Sequence, residues 1–374
     1  MSDSPPEPKY RRELASFVAL NGDLAEKRDI WKSKPYYLEY STNSSCNLRC
    51  TMCSQSENPP VVTTPKAKRA DLFDQLLPHA TILTPSATSE PLLNNMKELI
   101  PKLQEHQVSL NIITNGALMT PEVLEQLLPH LHQLTFSIDS QVKEIFEMMR
   151  APAIFEDVTE KTRVSVARCK EAGMPVTIHM VLITDNVPHL EGFVDYVVDD
   201  LGAHDITVLE LLESTNNFAE MDAFGVLGEA VVGEALQKMR ARCEERGVNL
   251  RIEVHAPHGG EYTNFAQPER INSAAVMDIM HTELAKSHLG FCPHVMGYLK
   301  VEPDGEAFPC CRGPRELRLG NVIEDGFEAV WNGKPMQKLR KQMFEGNLPK
   351  VCQGCAVLEA PKWFAKKDGE SPGV

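Results

Sequence analysis

Cys46, Cys50 and Cys53 stand at C-x3-C-x2-C spacing in the stretch Cys46-Asn47-Leu48-Arg49-Cys50-Thr51-Met52-Cys53. Thiolates are the standard soft ligands of iron–sulfur clusters, and three so closely spaced can wrap one corner of an iron–sulfur cube. Three ligands leave the fourth iron open, and an open metal position is where chemistry happens. A zinc knuckle is the competing reading. It needs a fourth ligand close by, and the residues that follow Cys53 supply none.

A second cysteine set lies in the C-terminal third. Cys292 precedes an apolar run at 297–301, an Asp304-Gly305 turn and a second run ending in Phe308-Pro309-Cys310-Cys311, which together read as a β-hairpin. A helix beginning near Phe327 follows, then Cys352-Gln353-Gly354-Cys355. Cys292, Cys310, Cys352 and Cys355 suffice for one fully ligated [4Fe–4S] cluster, and equally for a four-cysteine zinc site. Cys310 and Cys311 are adjacent, so on a strand they point to opposite faces and only one faces a given metal centre. Cys169 and Cys243 fall on apolar helical stripes and read as small buried hydrophobes.

The elements that must hold these residues alternate. Strand patterns at 36–40, 80–83, 110–114, 134–138, 176–182 and 206–209 are separated by amphipathic helical segments. One of these, 121–132, lines up Val123, Leu124, Leu127, Leu128 and Leu131 on a single face. Such alternation implies parallel strands joined by crossover helices, an α/β partial (β/α)6 barrel. Active sites in such barrels sit at the C-terminal strand ends. The cysteine loop, Glu90, Asn115, Ser137, Asp139, Asn186, Glu210 and Glu213 all fall just past those ends, on one rim.

Composition narrows the class. The chain has 374 residues and a net charge of −14, which disfavours nucleic acid as a partner because phosphate binding needs a basic face. No apolar stretch is long enough to span a bilayer, and the N-terminus lacks a signal-peptide core. Ten cysteines without a secretion signal point to a reducing, cytoplasmic setting with metal ligands. The expected organisation is an N-terminal helix and arm at 1–35, the barrel at 36–257, a linker at 258–284 and a small cysteine-rich domain at 285–374.

The cysteine triad, its Asn-Leu-Arg filling and Met52 resemble the radical S-adenosylmethionine (SAM) family. The resemblance implies a [4Fe–4S] cluster that chelates SAM at the open iron and cleaves it to a 5′-deoxyadenosyl radical, with a flavodoxin- or ferredoxin-type reductant. The segment 84–93 is similar to the family's Gly-Gly-Glu-Pro motif, with Thr88 and Ser89 in place of the glycines; it implies that Glu90 accepts the SAM ammonium. Ser137-Ile138-Asp139, followed by Arg150, resembles the family's fourth-strand motif. By that resemblance Ser137 and Arg150 hold the SAM carboxylate, Asp139 or Asn115 the ribose hydroxyls, and the backbone around Met52 the adenine. The C-terminal layout looks like the auxiliary-cluster domain called SPASM, in its shortened twitch form. That pattern assigns Cys292, Cys310, Cys352 and Cys355 to one auxiliary [4Fe–4S] cluster and favours Cys310 over Cys311.

The expected activity is abstraction of a hydrogen atom from a substrate C–H bond, leading to oxidation or epimerisation. Because the first cluster ligand is already at position 46, leaving too little chain for a leader-binding domain, the expected substrate is a small polar metabolite. A peptide or protein substrate is the alternative, and a non-catalytic metal-binding protein, favoured only by the missing glycines, a remote one. Glu210, Glu213 and Cys311 are the candidates for direct contact with the reacting substrate.

Overall fold

Buried strands that carry apolar side chains on one face and polar ones on the other pair into a single sheet. The computed structural model describes residues 9–86, 89–211, 218–253, 284–285, 287–311, 315–353, 355 and 358. Seven strands run parallel: β1 (Tyr37–Tyr40), β2 (Ile82–Thr84), β3 (Ser109–Thr114), β4 (Leu131–Ser137), β5 (Val176–Leu182), β6 (Asp205–Glu210) and β7 (Asn249–Glu253). Three more follow, β8 (Tyr298–Val301), β9 (Glu306–Phe308) and β10 (Gly320–Asn321). The order is β10-β9-β8-β1-β2-β3-β4-β5-β6-β7. The parallel α/β architecture is as read from sequence, with two differences. A seventh parallel strand is present, and the helix read at 121–132 stops at Leu127. Pro129 cannot donate to the carbonyl four residues back, so the chain tightens into a 3-10 turn over Leu128–His130, and Leu131 opens β4.

The two faces of the sheet differ. Leu38, Leu83, Leu110, Leu134, Phe136, Ile178, Val208 and Ile252 form the outer face and are buried beneath the crossover helices. Those helices contribute apolar stripes such as Leu99 and Leu103, or Phe193, Val194 and Val197; Cys169 and Cys243 are buried within two further stripes. The inner face is polar. Parallel register sets Tyr37 beside Tyr298 and Glu39 beside both Thr84 and Lys300, and Ser137 beside His179. Asn111 donates to the Tyr37 hydroxyl at 2.7 Å, and that hydroxyl also meets Thr84 Oγ1 at 2.7 Å. An interior lined this way is a chamber for chemistry, unlike the apolar layers that fill a closed (β/α)8 barrel.

The C-terminal hairpin is stitched onto this sheet. β8 pairs with β1 in parallel over Tyr37↔Tyr298 to Tyr40↔Val301, and β9 returns antiparallel. Between them Gly305 adopts φ +90, which a side chain rarely tolerates, and a Cβ there would sit 2.4 Å from Asn321 Oδ1. At the opposite pole the helix Lys9–Ala25 closes the N-terminal strand ends. Arg12 donates to the carbonyls of His106 at 2.6 Å and Ala80 at 3.0 Å, just ahead of β3 and β2. Of the stretch read as a linker, 258–283 lies outside the described residues.

Candidate functional site

The cysteine loop leaves the C-terminal end of β1 and is fixed by its backbone to the segment after the fourth strand. Arg49 N–H donates to Ala151 O at 2.7 Å and Thr51 N–H to Met149 O at 2.9 Å. These two bonds bracket Arg150, which is thereby brought to the cysteines. Cys50 and Met52 are buried, and Cys46 and Cys53 half-buried.

Asp139 is fully buried and takes Arg150 in a two-point grip, Nε to Oδ2 at 2.5 Å and a terminal nitrogen to Oδ1 at 3.1 Å. Oδ1 also accepts Val181 N–H at 2.8 Å. Both Asp139 oxygens are therefore committed, as are the side-chain atoms of Asn115, whose Oδ1 accepts Ala117 N–H at 3.0 Å and whose Nδ2 donates to Asn47 Oδ1 at 2.9 Å. Burial works against the Arg150 charge, but Asp139, Cys50 and Cys53 outweigh it and hold its pKa above the ordinary value. For the Cys50 thiol, burial is the main cause of a rise to about 11; Arg150 pulls it down, while Asp139, Cys53 and Cys46 push it up. A metal that coordinates such thiols removes their protons outright.

Glu90 sits where the second strand's loop meets the third. Its carboxylate accepts Leu92 N–H at 3.1 Å, Thr114 Oγ1–H at 2.7 Å and Asn115 N–H at 3.0 Å. Its own N–H donates to Ser45 O at 3.1 Å, beside the cysteine loop. Burial raises its pKa, only partly offset by these three donors. Ser89, which stands where the family motif has glycine, closes its turn by donating its N–H to Ser86 Oγ at 2.7 Å. Asn115 Nδ2 reaches Asn47 Oδ1 at 2.9 Å and Cys46 Sγ at 3.9 Å. Glu90, Asn115 and Cys46 are thus joined by hydrogen bonds, and the Asp139–Arg150 pair is held to the same cysteine loop through the backbone bonds of Met149 and Ala151, with Ser137 half-buried at the end of β4.

One other rim residue, Asn186, is engaged by the backbone instead of standing open to a substrate. Asn186 is fully buried, bracing the loop after β5: it donates to Asp139 O at 3.0 Å and Val181 O at 2.8 Å and accepts Ile183 N–H at 2.9 Å. It has no group left for a substrate. Glu210 is half-buried at the end of β6, and Glu213 lies outside the described residues.

The second cysteine set also converges. The Cys292 thiol is pushed up to about 12 by burial, with Cys355 and Cys310 adding to the rise. Cys352 rises to about 11 by burial, with Cys310 and Cys355 adding. Cys311 is exposed, and its charge acts on Tyr298 and Lys300 instead. Cys310 and Cys311 follow the end of β9 at Phe308, outside the strand on which sequence reasoning set them, with Cys310 half-buried and Cys311 exposed. A zinc tetrahedron with Zn–S near 2.3 Å would hold its sulfurs about 3.8 Å apart. Among the described residues no three of the cysteine sulfurs gather within 4.8 Å of one another. The soft thiolate donors of both sets suit an iron–sulfur cluster.

Sequence reasoning did not find Glu39, Tyr298 and Lys300 on the inner wall. Their signal is slight: charged or hydroxyl-bearing residues at every second position of short strands otherwise made of large apolar ones.

Residues 40–197 match the Radical SAM superfamily and residues 292–356 match SPASM, an iron–sulfur cluster-binding domain. The chain is 21% identical to the antilisterial bacteriocin subtilosin biosynthesis protein AlbA of Bacillus subtilis, covering 87% of this chain and 65% of that protein, so it spans just under two thirds of that relative. It is 23% identical to the mycofactocin maturase MftC of Mycobacterium tuberculosis, covering 90% of this chain and 80% of that one. It is also 23% identical to the AdoMet-dependent heme synthase of Methanosarcina barkeri, covering 86% and 91%. Streptococcus suis SuiB, solved with bound S-adenosylmethionine, superposes with a TM-score of 0.64 at 15% identity over 90% of this chain and 74% of SuiB. No described helix is long and apolar enough to cross a membrane.

Proposed function

We infer that this chain, which belongs to the radical SAM superfamily and carries a C-terminal SPASM domain, is an enzyme that modifies a peptide. Cys46, Cys50 and Cys53 would hold a cluster that, when bound, would supply hydrogen-atom abstraction through reductive cleavage of SAM, and Cys292, Cys310, Cys352 and Cys355 would hold an auxiliary cluster able to accept one electron from the substrate radical. The protein's own part is to hold, orient and exclude water. Glu90 accepts the SAM ammonium, a charge-assisted bond in a dry setting. Arg150, held by Asp139, faces the SAM carboxylate together with Ser137. Asn115 takes the ribose, and the backbone around Met52 the adenine. Cys292, Cys310, Cys352 and Cys355 bind the auxiliary cluster, and the exposed Cys311 is not among its ligands.

The observation that carries this reading is the joining of Arg150 to the cysteine loop through Asp139 and the Arg49 and Thr51 backbone bonds. It gives the open side of the triad a fixed cation, the complement of a carboxylate. The peptide class rests on the relatives named for bacteriocin and mycofactocin maturation, and on their coverage of most of the chain. This moves the expectation from a small polar metabolite to the alternative. A small-molecule substrate is the second reading, favoured by the relative named as a heme synthase.

The test is anaerobic reconstitution, with iron counted and 5′-deoxyadenosine measured in the presence of peptide pools or of small metabolites. About eight irons per chain, falling to about four in the C46A/C50A/C53A variant with no SAM cleavage, supports both clusters. Cleavage stimulated by a peptide that loses hydrogens in its mass spectrum supports the peptide reading; stimulation by metabolites alone overturns it. Absence of iron and of SAM cleavage overturns the whole assignment.

A further inference from the structure

Three charged or hydroxyl-bearing side chains with no part in holding SAM sit on the inner wall where β1 meets β8. Glu39 and Lys300 are each 4% exposed. Lys300 Nζ lies 3.7 Å from Glu39 Oε1 and 2.9 Å from Glu302 Oε1, and donates to Cys311 O at 3.3 Å. The Tyr298 hydroxyl donates to the other Glu39 oxygen. Its ring is stacked between Tyr37 at 5.4 Å and His294 at 4.8 Å. Burial works against the Lys300 ammonium, but Glu39 and Glu302 more than compensate, so it stays charged. His294 is kept neutral by burial, which lowers its pKa to about 4. The charges at this wall are therefore one cation and two carboxylates, and of the two only Glu39 is removed from water.

A buried, largely unscreened ion pair is costly to assemble, and charges in so dry a setting act strongly on whatever lies beside them. The link to the auxiliary set is the Lys300 bond to the backbone carbonyl of Cys311, the residue next to Cys310 in the chain. The potential of an iron–sulfur cluster is governed by nearby charge, hydrogen bonding and solvent access. A cation stabilises the reduced, more negative cluster and a carboxylate opposes it.

We propose that Lys300 and Glu39 form a positioning pair that sets the reduction potential of the auxiliary cluster. Lys300 raises it so that the cluster takes an electron readily, Glu39 limits the rise by its opposing charge, and Glu302 and the Cys311 carbonyl keep Lys300 in place. This rests on the reading that Cys292, Cys310, Cys352 and Cys355 hold a cluster.

The experiment is a redox titration of the auxiliary cluster, followed by its electron paramagnetic resonance signal, in full-length C46A/C50A/C53A protein so that it is the sole cluster present. Lys300→Met is expected to make the cluster at least tenfold harder to reduce, which is about 59 mV more negative for one electron. Glu39→Gln is expected to move it the opposite way, and Lys300→Arg to leave it near the parent value. Oppositely signed shifts are the feature a merely structural role does not produce. Potentials that stay put, or move in the same direction in both variants with full iron content, overturn the proposal and leave the cluster assignment standing. Parent protein that binds no iron overturns the assignment, and the proposal with it. The same order of potentials in the full holoenzyme completes the test.

Discussion

Asp139 and Arg150 stand eleven residues apart in the chain yet close into a buried two-point ion pair, Nε to Oδ2 at 2.5 Å. Removing one partner of such a pair leaves an uncompensated charge away from water, typically at a cost of about 3–5 kcal/mol. Asp139→Asn is therefore expected to lower the urea midpoint by that order. It should also weaken SAM binding at least tenfold by freeing Arg150 to turn away. Isothermal titration with SAM on iron-loaded protein would separate the two effects; unchanged affinity would show that Arg150 holds its position without Asp139.

Glu90 gives a pH dependence. Its pKa is raised chiefly by burial, so the folded chain keeps the Glu90 proton to higher pH than an exposed glutamate does. The group's contribution to stability is then fully present below the ordinary glutamate range and declines as pH rises through its folded value. Affinity runs the other way, because the ammonium needs the carboxylate. SAM binding is expected to fail on the acid side at a pH above the ordinary glutamate pKa of about 4.3. Glu90→Gln should retain iron, lose at least tenfold in 5′-deoxyadenosine formation, and show no such acid limb in a binding titration.

The neighbours Cys310 and Cys311 should separate cleanly. Cys310→Ala is expected to cost the auxiliary cluster, a drop of about four irons per chain, while Cys311→Ala keeps the full iron content. Iron analysis beside Mössbauer spectra reads this out directly. Loss of iron in the Cys311 variant instead would mean that Cys311 is the ligand.

A structural prediction concerns Arg340. It lies fully buried between Trp31 and Trp331, with its guanidinium 4.3 and 4.9 Å from the two rings. It donates to Asp29 O at 3.1 Å, Trp331 O at 3.0 Å and Asn332 Oδ1 at 2.8 Å. Arg340→Ala removes two cation–π contacts and orphans buried acceptors, for a loss of about 3 kcal/mol or more. Hydrogen exchange should rise around Trp31 and Trp331 together, since this side chain ties the segment before β1 to the C-terminal helices.

The parts of the site legible in the sequence are those written in one short run or at a fixed place after a strand. The cysteine triad declares its chemistry by spacing, and Glu90, Asn115 and Asp139 by standing at the ends of apolar runs. Partnerships across long separations were not legible. Nothing local reveals that Asp139 spends both oxygens on Arg150 and Val181, or that Asn186 is consumed by backbone groups rather than offered to a ligand. β7 went unread because Asn249, Arg251 and Glu253 make a five-residue strand look like a polar surface, although Leu250 and Ile252 supply its buried face. Glu39 was hidden for the converse reason: a carboxylate inside an apolar strand makes sense only once Lys300 and Tyr298 arrive from 259 or more residues away.

The parallel pairing of β8 with β1 bears on what the enzyme accepts. The loop holding the first cysteine set leaves β1, and Cys292 and Cys310 flank the β8–β9 hairpin that pairs with it, neighbouring strands keeping a spacing of about 4.8 Å. Backbone pairing over Tyr37↔Tyr298 to Tyr40↔Val301 fixes that seam. On the proposed function, a substrate would then be selected by its reach from one cysteine set to the other.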